Sequence, residues 1–390
     1  MTERLYYDDC YLRDVRARVI ETADEGRRVY LDRTAFYPTS GGQPFDLGTL
    51  GGVAVREVTD EEDRVVHLLE APLAPVATPN SEIEGNIDWA RRWDHMQQHT
   101  GQHLLSAVLI ELFEIPTLSF HMSAASSTID IGTPALDSKR AERVEERCAE
   151  IIAEARPVTI SYEDSSADLG LRKASARSGT LRIISIDRLD KSACGGTHVR
   201  STAELGPLLI RKIDKMRGNA RIEFVCGMHA LGTARRDFRT LSEISRIVSV
   251  PIEEAAAVVA AQIERGKSFE KTSQRLASEL AKREGRELYL QTAAAPDGIR
   301  QVTQRGEIDD AMRVRAQAFV AGSKAVFLAI STDPPSILLA ASPDSGVHAG
   351  ERVKAAVTAA GGRGGGNQAL AQGSVPSAAS LETIAASILK

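Results

Sequence analysis

Two pairs of residues have the types and spacing to hold a metal ion: His99 and His103 in HTGQHLLSA, and Cys194 and His198 in CGGTHV. Three imidazoles and one thiol make a donor set that suits tetrahedral Zn2+. Positions four apart on a helix share a face, so His99 and His103 can grip one ion without distorting the backbone. The two glycines after Cys194 allow a tight return that brings Cys194 and His198 to one point. A lone histidine is more often an ordinary core or surface residue than a ligand, and it is the second pair that lifts this set above that reading. His95 precedes His99 by the same interval and stands, at this point, as either a further imidazole or a neighbour. Zinc peptidases of the HExxH type need a glutamate after the first histidine as general base. Here Thr100 follows His99 and Met96 follows His95, so that chemistry is unsupported.

These residues need a helix and a loop to carry them. DWARRWDHMQQHTGQHLLSAVLIELF reads as a helix with an apolar stripe at Leu104, Val108 and Leu112. SKRAERVEERCAEIIAEAR reads as a second amphipathic helix, stopped by Pro157, and VTISYE, LRIISID, PLLIRKID and ARIEFVCG read as strands. Residues 91–232 are therefore expected to be an α+β unit with its ligands on one helix and one loop. Upstream, over residues 1–90, VRARVIE, RRVYLDRTAF, GGVAVREV and DRVVHLLEA are short β-branched runs that predict a small β-barrel or sheet. Between two of them, FYPTSGGQPFDLGTLGG is too rich in Pro and Gly for a regular helix, and its backbone NH groups could hold an oxygen-rich ligand. Residues 233–286 are charged and helical, divided by Pro251. Beyond it, Ile252, Ala255, Val259, Ile263, Phe269, Leu276 and Leu280 recur at spacings that predict a long arm packed along a partner. Over 287–390 the composition shifts to Ala, Gly and short strands, and GGRGGGNQALAQG suits either a backbone in close approach or a flexible linker.

A chain of 390 residues, 43% of them hydrophobic, can bury more than one core, and two to four domains are expected. The charged start MTERLYYDD offers neither a signal peptide nor a membrane span, so a cytoplasmic location without membrane contact is expected. The scattered Cys10, Cys148, Cys194 and Cys226 fit reduced thiols rather than a disulfide framework. A formal charge of -5 argues against nonspecific coating of nucleic acid. The run Arg211, Lys212, Lys215, Arg217 and Arg221 is the best local basic surface, although such runs are usually solvated faces.

Taken together, TAFYPTSGGQPFDLG, HTGQHLLSA and CGGTHV resemble, in that order, the editing domain of alanyl-tRNA synthetase and its freestanding relatives, the AlaX editing proteins. VHAGERVKAAVTAAGGRGGGNQALAQG resembles the DHHA1 domain that closes the synthetase. The resemblance runs over nearly the whole chain and is similar to the long AlaX form, with no class II aminoacylation domain expected ahead of the β domain. It implies an α+β multidomain protein: an N-terminal small β-barrel with the GGQ loop (1–90), an α+β zinc-containing editing domain (91–232), a long helical arm (233–286) and a C-terminal α/β DHHA1 domain (287–390).

By that resemblance His99, His103, Cys194 and His198 hold one Zn2+ per chain and His95 falls outside the set. Thr34, in DRTAFYP, corresponds to the threonine thought to recognise a serine hydroxyl, with Gly41, Gly42 and Gln43 bordering the same pocket and Gln43 as a catalytic candidate. Where the synthetases carry a glutamine soon after the histidine helix, this chain has Ser119-Phe120-His121. The implied activity is ester hydrolysis of tRNA for alanine carrying serine or glycine. The tRNA body would be held by the tail, with Lys212, Lys215, Arg217, Arg363, Gly364, Gly365 and Gly366 as candidate contacts, and the arm or DHHA1 domain would pair two subunits. A non-catalytic RNA-binding protein with a structural zinc is the rival, because four protein ligands fill a tetrahedral ion. DHH phosphodiesterases also carry DHHA1, but the nearest match to their Asp-His-His motif is Asp94-His95-Met96.

Overall fold

A computed structural model describes residues 1–73, 79–174 and 178–389. The chain divides into two compact units, Met1–Glu243 and Ile244–Lys390. It is a mixed α+β protein of several sheets. Among the described residues no helix is long and apolar enough to cross a membrane.

The first unit opens with β1 (Glu3–Arg4), β2 (Asp14–Ala23), β3 (Arg28–Leu31), β4 (Arg33–Thr34), β5 (Gly48–Leu50), β6 (Val53–Glu61), β7 (Arg64–Leu69) and β8 (Glu82–Ile87). Six of them pair in the closed cycle β2-β3-β7-β6-β5-β8. Alternation along β2 turns Val15, Ala17 and Val19 inward, where they meet Val29, Leu31, Leu50, Val58 and Val65. Short β5 and β8 (GTL and EIEGNI) lack the β-branched density of the other strands and escape a sequence reading.

Helix α1 (Trp89–Phe113) follows, capped by Asp88 accepting the Arg91 amide and ended by Glu114 in the left-handed region. Its apolar positions Leu104, Leu105, Val108 and Leu109 enter one core with Val144, Cys148 and Ile151 of α2 (Ser138–Ala153). That core is floored by a four-stranded sheet of β9 (Thr117–Met122), β10 (Ser127–Ile131), β14 (Leu208–Lys215) and β15 (Ala220–Cys226), in the order β14-β15-β10-β9. A three-stranded antiparallel sheet, β11 (Val158–Asp164), β12 (Thr180–Ile186) and β13 (Asp190–Ala193), delivers the CGGTH loop immediately after β13. Helix α3 (Gly227–Val248) contains the boundary between the two units.

In the second unit, α4 (Ile252–Gln291) is 40 residues long. Ala281 and Gly285 near its C-terminal end are buried, and Gly285 admits the Arg315 carbonyl at a distance that a Cβ would forbid. Earlier along α4, Ile263, Phe269, Leu276 and Leu280 are exposed, so the stripe expected to pack has no cover among the described residues. The sheet β16 (Arg300–Arg305), β17 (Ala325–Thr332), β18 (Pro335–Ala341), β20 (Leu370–Ser374) and β19 (Arg363–Gly366) runs in the order β16-β17-β18-β20-β19. Both faces of β17 are covered. Val326, Leu328 and Ile330 meet α6 (Ala349–Ala359) and α7 (Leu381–Ile388), while Phe327 and Ala329 meet α5 (Asp310–Val320). The glycine run, expected to be a backbone in close approach or a flexible linker, forms edge strand β19. A Cβ at Gly364 would lie 2.7 Å from the Gly373 Cα and 3.0 Å from Val357, so the glycines let this strand close on β20 and α6.

Candidate metal centre and cleft

His99 and His103 project from the buried face of α1, and Cys194 and His198 come from the loop after β13. One donor atom from each falls within 4.8 Å of the others. The Cys194 sulfur lies 3.4 Å from His99 Nε2 and 3.3 Å from His198 Nε2. Gly196 makes this convergence sterically feasible, since a Cβ there would fall 2.1 Å from the His99 ring. Arg182 of β12 anchors the same loop, donating to the carbonyls of Cys194 at 2.7 Å and Gly196 at 3.0 Å.

Each imidazole is oriented through its other nitrogen. His99 Nδ1 donates to Gln43 Oε1 at 2.8 Å, His103 Nδ1 to Asp190 Oδ2 at 2.9 Å, and His198 Nδ1 lies 3.1 Å from the Thr100 hydroxyl. These partners direct the Nε2 lone pairs toward the common centre, which is how metal-ligating histidines are held. Asp190 is itself fixed by Arg172 Nε at 2.7 Å and by Ser192. Gln43 joins the two ligand-bearing segments. Its Oε1 also accepts from the Thr197 amide, and its Nε2 donates to the Thr197 hydroxyl.

Protonation follows from these contacts. Burial opposes ionisation of Cys194, yet His99, His198 and a hydrogen bond from His103 hold its thiol well below the usual range. Burial likewise opposes a charged His103, but Asp190 and the Cys194 sulfur outweigh it and push His103 up to about 9. At His198 burial dominates and pulls it down to about 3 despite Cys194. A thiolate with three converging Nε2 atoms fits a divalent cation, which would displace the proton that His103 shares with Cys194, and the one sulfur and three nitrogens are a donor set that suits zinc.

The cluster opens on a cleft of about 920 Å³ lined by His99, Gln102, His103, Phe120, Arg182 and Cys194 among others. Phe120 lies against His99, with ring centroids 5.2 Å apart.

The second additional domain of threonyl- and alanyl-tRNA synthetases matches residues 181–223, the stretch that carries β12, the CGGTH loop and β14. Over 242 residues the chain is 35% identical to the alanyl-tRNA editing protein AlaX-L of Pyrococcus horikoshii, an alignment covering 59% of each. It is 29% identical over 262 residues to the alanyl-tRNA editing protein Aarsd1 of Bos taurus, covering 66% of this chain and 58% of that one. Along its full length it is 29% identical to the alanine–tRNA ligase of Pyrococcus abyssi, of which it spans 43%. The chain is thus similar to alanyl-tRNA editing proteins and to the editing region of alanine–tRNA ligases. It spans somewhat more than half the length of the editing proteins it matches.

Several residues that the sequence resemblance puts at the pocket lie away from this cleft. Thr34 is fully buried in the β-domain and is not on the cleft wall. His67 Nδ1 donates to the Val29 carbonyl, so its Nε2 accepts the Thr34 hydroxyl proton at 2.8 Å, while Thr34 Oγ1 accepts from the Phe36 amide. Both capacities of that hydroxyl are spent inside the protein. Gln43 and Gly42 also lie behind the wall. Gln43 is fully buried against His99, and Gly42 at φ +83° packs on the Phe120 carbonyl, which a Cβ would meet at 2.6 Å. Gly41 does line the cleft.

His95 is buried outside the cluster, its Nδ1 without a hydrogen-bond partner, and burial chiefly lowers it to about 3. The basic run is largely neutralised: Arg211 pairs with Asp237, Lys212 with Asp214 at 2.9 Å, and Arg221 with Asp130 at 2.7 Å. Lys215 and Arg217 are exposed, as is Arg363 on β19.

Asp190, Thr100, Thr197, Arg182 and Gln102 are parts of the site that the sequence reading missed. Thr100 and Thr197 each adjoin a ligand histidine, Gln102 lies inside HTGQH, and Asp190 falls one β-strand before Cys194. Their adjacency to the motifs was the available signal.

Proposed function

We propose that the protein is a trans-editing hydrolase that cleaves the ester between a wrong amino acid, serine or glycine, and the tRNA for alanine. The observation that carries this reading is the cluster of three imidazoles and one thiolate opening on a 920 Å³ cleft, large enough for an aminoacyl adenosine. In this reading His99, His103, Cys194 and His198 hold one Zn2+. When bound, Zn2+ supplies positive charge beside the ester and ties α1 to the CGGTH loop. The chain's own groups do the rest. Gln43 and Asp190 keep the imidazoles in one tautomer, Arg182 holds the loop backbone, and Phe120 covers one side of His99.

Discrimination motivates such a site. An apolar pocket rejects an analogue that merely adds a hydroxyl by about a hundredfold, whereas a site that hydrogen-bonds the hydroxyl can discriminate by roughly 10⁴. We further propose that the second unit, with α4 as arm and the remainder as the DHHA1 domain, holds the body of the tRNA, and that Lys215, Arg217 and Arg363 contribute charge there. The uncovered stripe Ile263, Phe269, Leu276 and Leu280 supports pairing of two copies, which sedimentation equilibrium would read as twice the chain mass.

The decisive experiment is incubation of seryl-, glycyl- and alanyl-tRNA, all on the alanine tRNA, with the protein before and after chelation. Release of serine and glycine but not alanine, lost on chelation and restored by Zn2+, is expected. Zn2+ bound stoichiometrically with no release of any amino acid would favour the rival RNA-binding protein with a structural zinc.

A further inference from the structure

An aminoacyl ester at the end of an RNA carries its nearest fixed negative charge on the phosphodiester one ribose away. The charge along the cleft wall is uneven in a way that bears on where that group goes. Among the described residues the cationic side chains of the wall, apart from the cluster histidines, are Arg4, Arg172, Lys173 and Arg182. Three are engaged. Arg4 donates to both oxygens of Asp60 and to the Glu62 carbonyl, Arg172 to Asp190 and Ser192, and Arg182 to the carbonyls of Tyr7, Cys194 and Gly196.

Lys173 differs. Its ammonium is exposed and meets one neutral acceptor, the Leu118 carbonyl of β9 at 3.4 Å, and among the described residues no carboxylate pairs with it. Two of its three protons are left for a ligand. Its backbone is nonetheless anchored, because the neighbouring Arg172 donates through its amide to the Lys191 carbonyl at 2.9 Å and through Nε to Asp190 at 2.7 Å. Asp190 in turn holds His103, so these contacts set Lys173 on the His103 side of the cluster. There, two cations face one carboxylate. In the other direction Arg182 leads through Tyr7 to Arg4, where Asp60 and the exposed Glu62 set two carboxylates against one guanidinium. An ester seated at the cluster therefore meets a surplus of positive charge on one side and of negative charge on the other.

We infer that Lys173 is a substrate-binding residue that pairs with the phosphodiester preceding the terminal ribose, so that the nucleotide chain leaves the cleft past Lys173 and not past Glu62. The inference rests on the hydrolase reading above.

The test uses two serine esters, one of adenosine, which has no phosphate, and one of the dinucleotide CpA, which has a single phosphodiester. Wild type, Lys173→Ala, Lys173→Arg and Lys173→Glu, each first shown to carry one equivalent of Zn2+, are compared by the ratio of kcat/KM for the CpA ester over the adenosine ester. Wild type is expected to favour the CpA ester, with a preference that declines as salt is added. Lys173→Ala is expected to lower the ratio about tenfold, through KM rather than kcat, the low end for a hydrogen bond to a charged group. Lys173→Arg keeps the charge and most of the ratio, and Lys173→Glu falls below Lys173→Ala. A wild type indifferent to the phosphodiester, or an unchanged ratio in Lys173→Ala, overturns the inference while the hydrolase reading stands. Should the wild type require full-length tRNA, the same variants are ranked on seryl-tRNA, where an unchanged KM in Lys173→Ala overturns it. A wild type that cleaves none of the three substrates ends the hydrolase reading and this inference with it.

Discussion

Asp190 shows how a residue outside the four-donor cluster governs it. It accepts from His103 Nδ1 while Arg172 and Ser192 hold it from the other side, so the imidazole is locked with Nε2 toward the centre. Removing such a partner typically costs 10- to 100-fold in metal affinity. Asp190→Asn is therefore expected to weaken Zn2+ binding by about that factor in a chelator competition, with the far-ultraviolet spectrum unchanged.

His67 makes a separate prediction at the same scale. Burial holds it neutral and lowers it to about 4, against about 6.5 in an unfolded chain. Between those values the unfolded state binds the extra proton, so stability is full above pH 6.5 and falls as the pH drops through 4. The loss is roughly 3 kcal/mol. Denaturant unfolding of wild type and His67→Gln across that range checks it: the acid-side decline should be shallower in the variant.

At the scale of elements, one buried ion pair joins the β-domain to the ligand helix. Arg92 of α1 donates to both oxygens of Asp46 and to the carbonyls of Cys10 and Ala35, and Asp46 also accepts from the Tyr37 amide at 2.6 Å. Tyr37 and Asp46 are the two ends of the loop that presents Gln43 to His99. Both partners are fully buried. Breaking a pair of this kind leaves an uncompensated charge and costs about 3–5 kcal/mol. Asp46→Ala should lose that much in equilibrium unfolding, and the variant that remains folded should bind Zn2+ more weakly because Gln43 is no longer held.

For the whole molecule, the division at Glu243 separates the cluster and cleft from the second unit, and each has its own cores. A chain ending at Val248 is expected to keep one equivalent of Zn2+ and to hydrolyse a minimal seryl ester, while binding full-length tRNA at least about tenfold more weakly, the effect of losing a linked binding module. Equal losses on both substrates, read in parallel assays, would contradict this division of labour.

The sequence by itself determined the four-donor set of His99, His103, Cys194 and His198 and the elements that carry it. HTGQH and CGGTH are short, and residue type, helical spacing and paired glycines are local properties that need no fold to be read. The long helices of residues 89–113 and 252–291 were legible for the same reason, through sustained periodicity and Pro251. What only the tertiary structure decided is which polar groups are free. Thr34 and Gln43 look alike from sequence as pocket residues, yet each has spent its hydrogen bonds on partners distant in the chain, Thr34 on His67 and Gln43 on His99 and Thr197. The glycine run reads as a linker until β20 and α6 close on it, and the basic run reads as a cationic face until Asp130, Asp214 and Asp237 neutralise most of it. Hydrogen-bond capacity is consumed by long-range partners, and no local pattern records who they are.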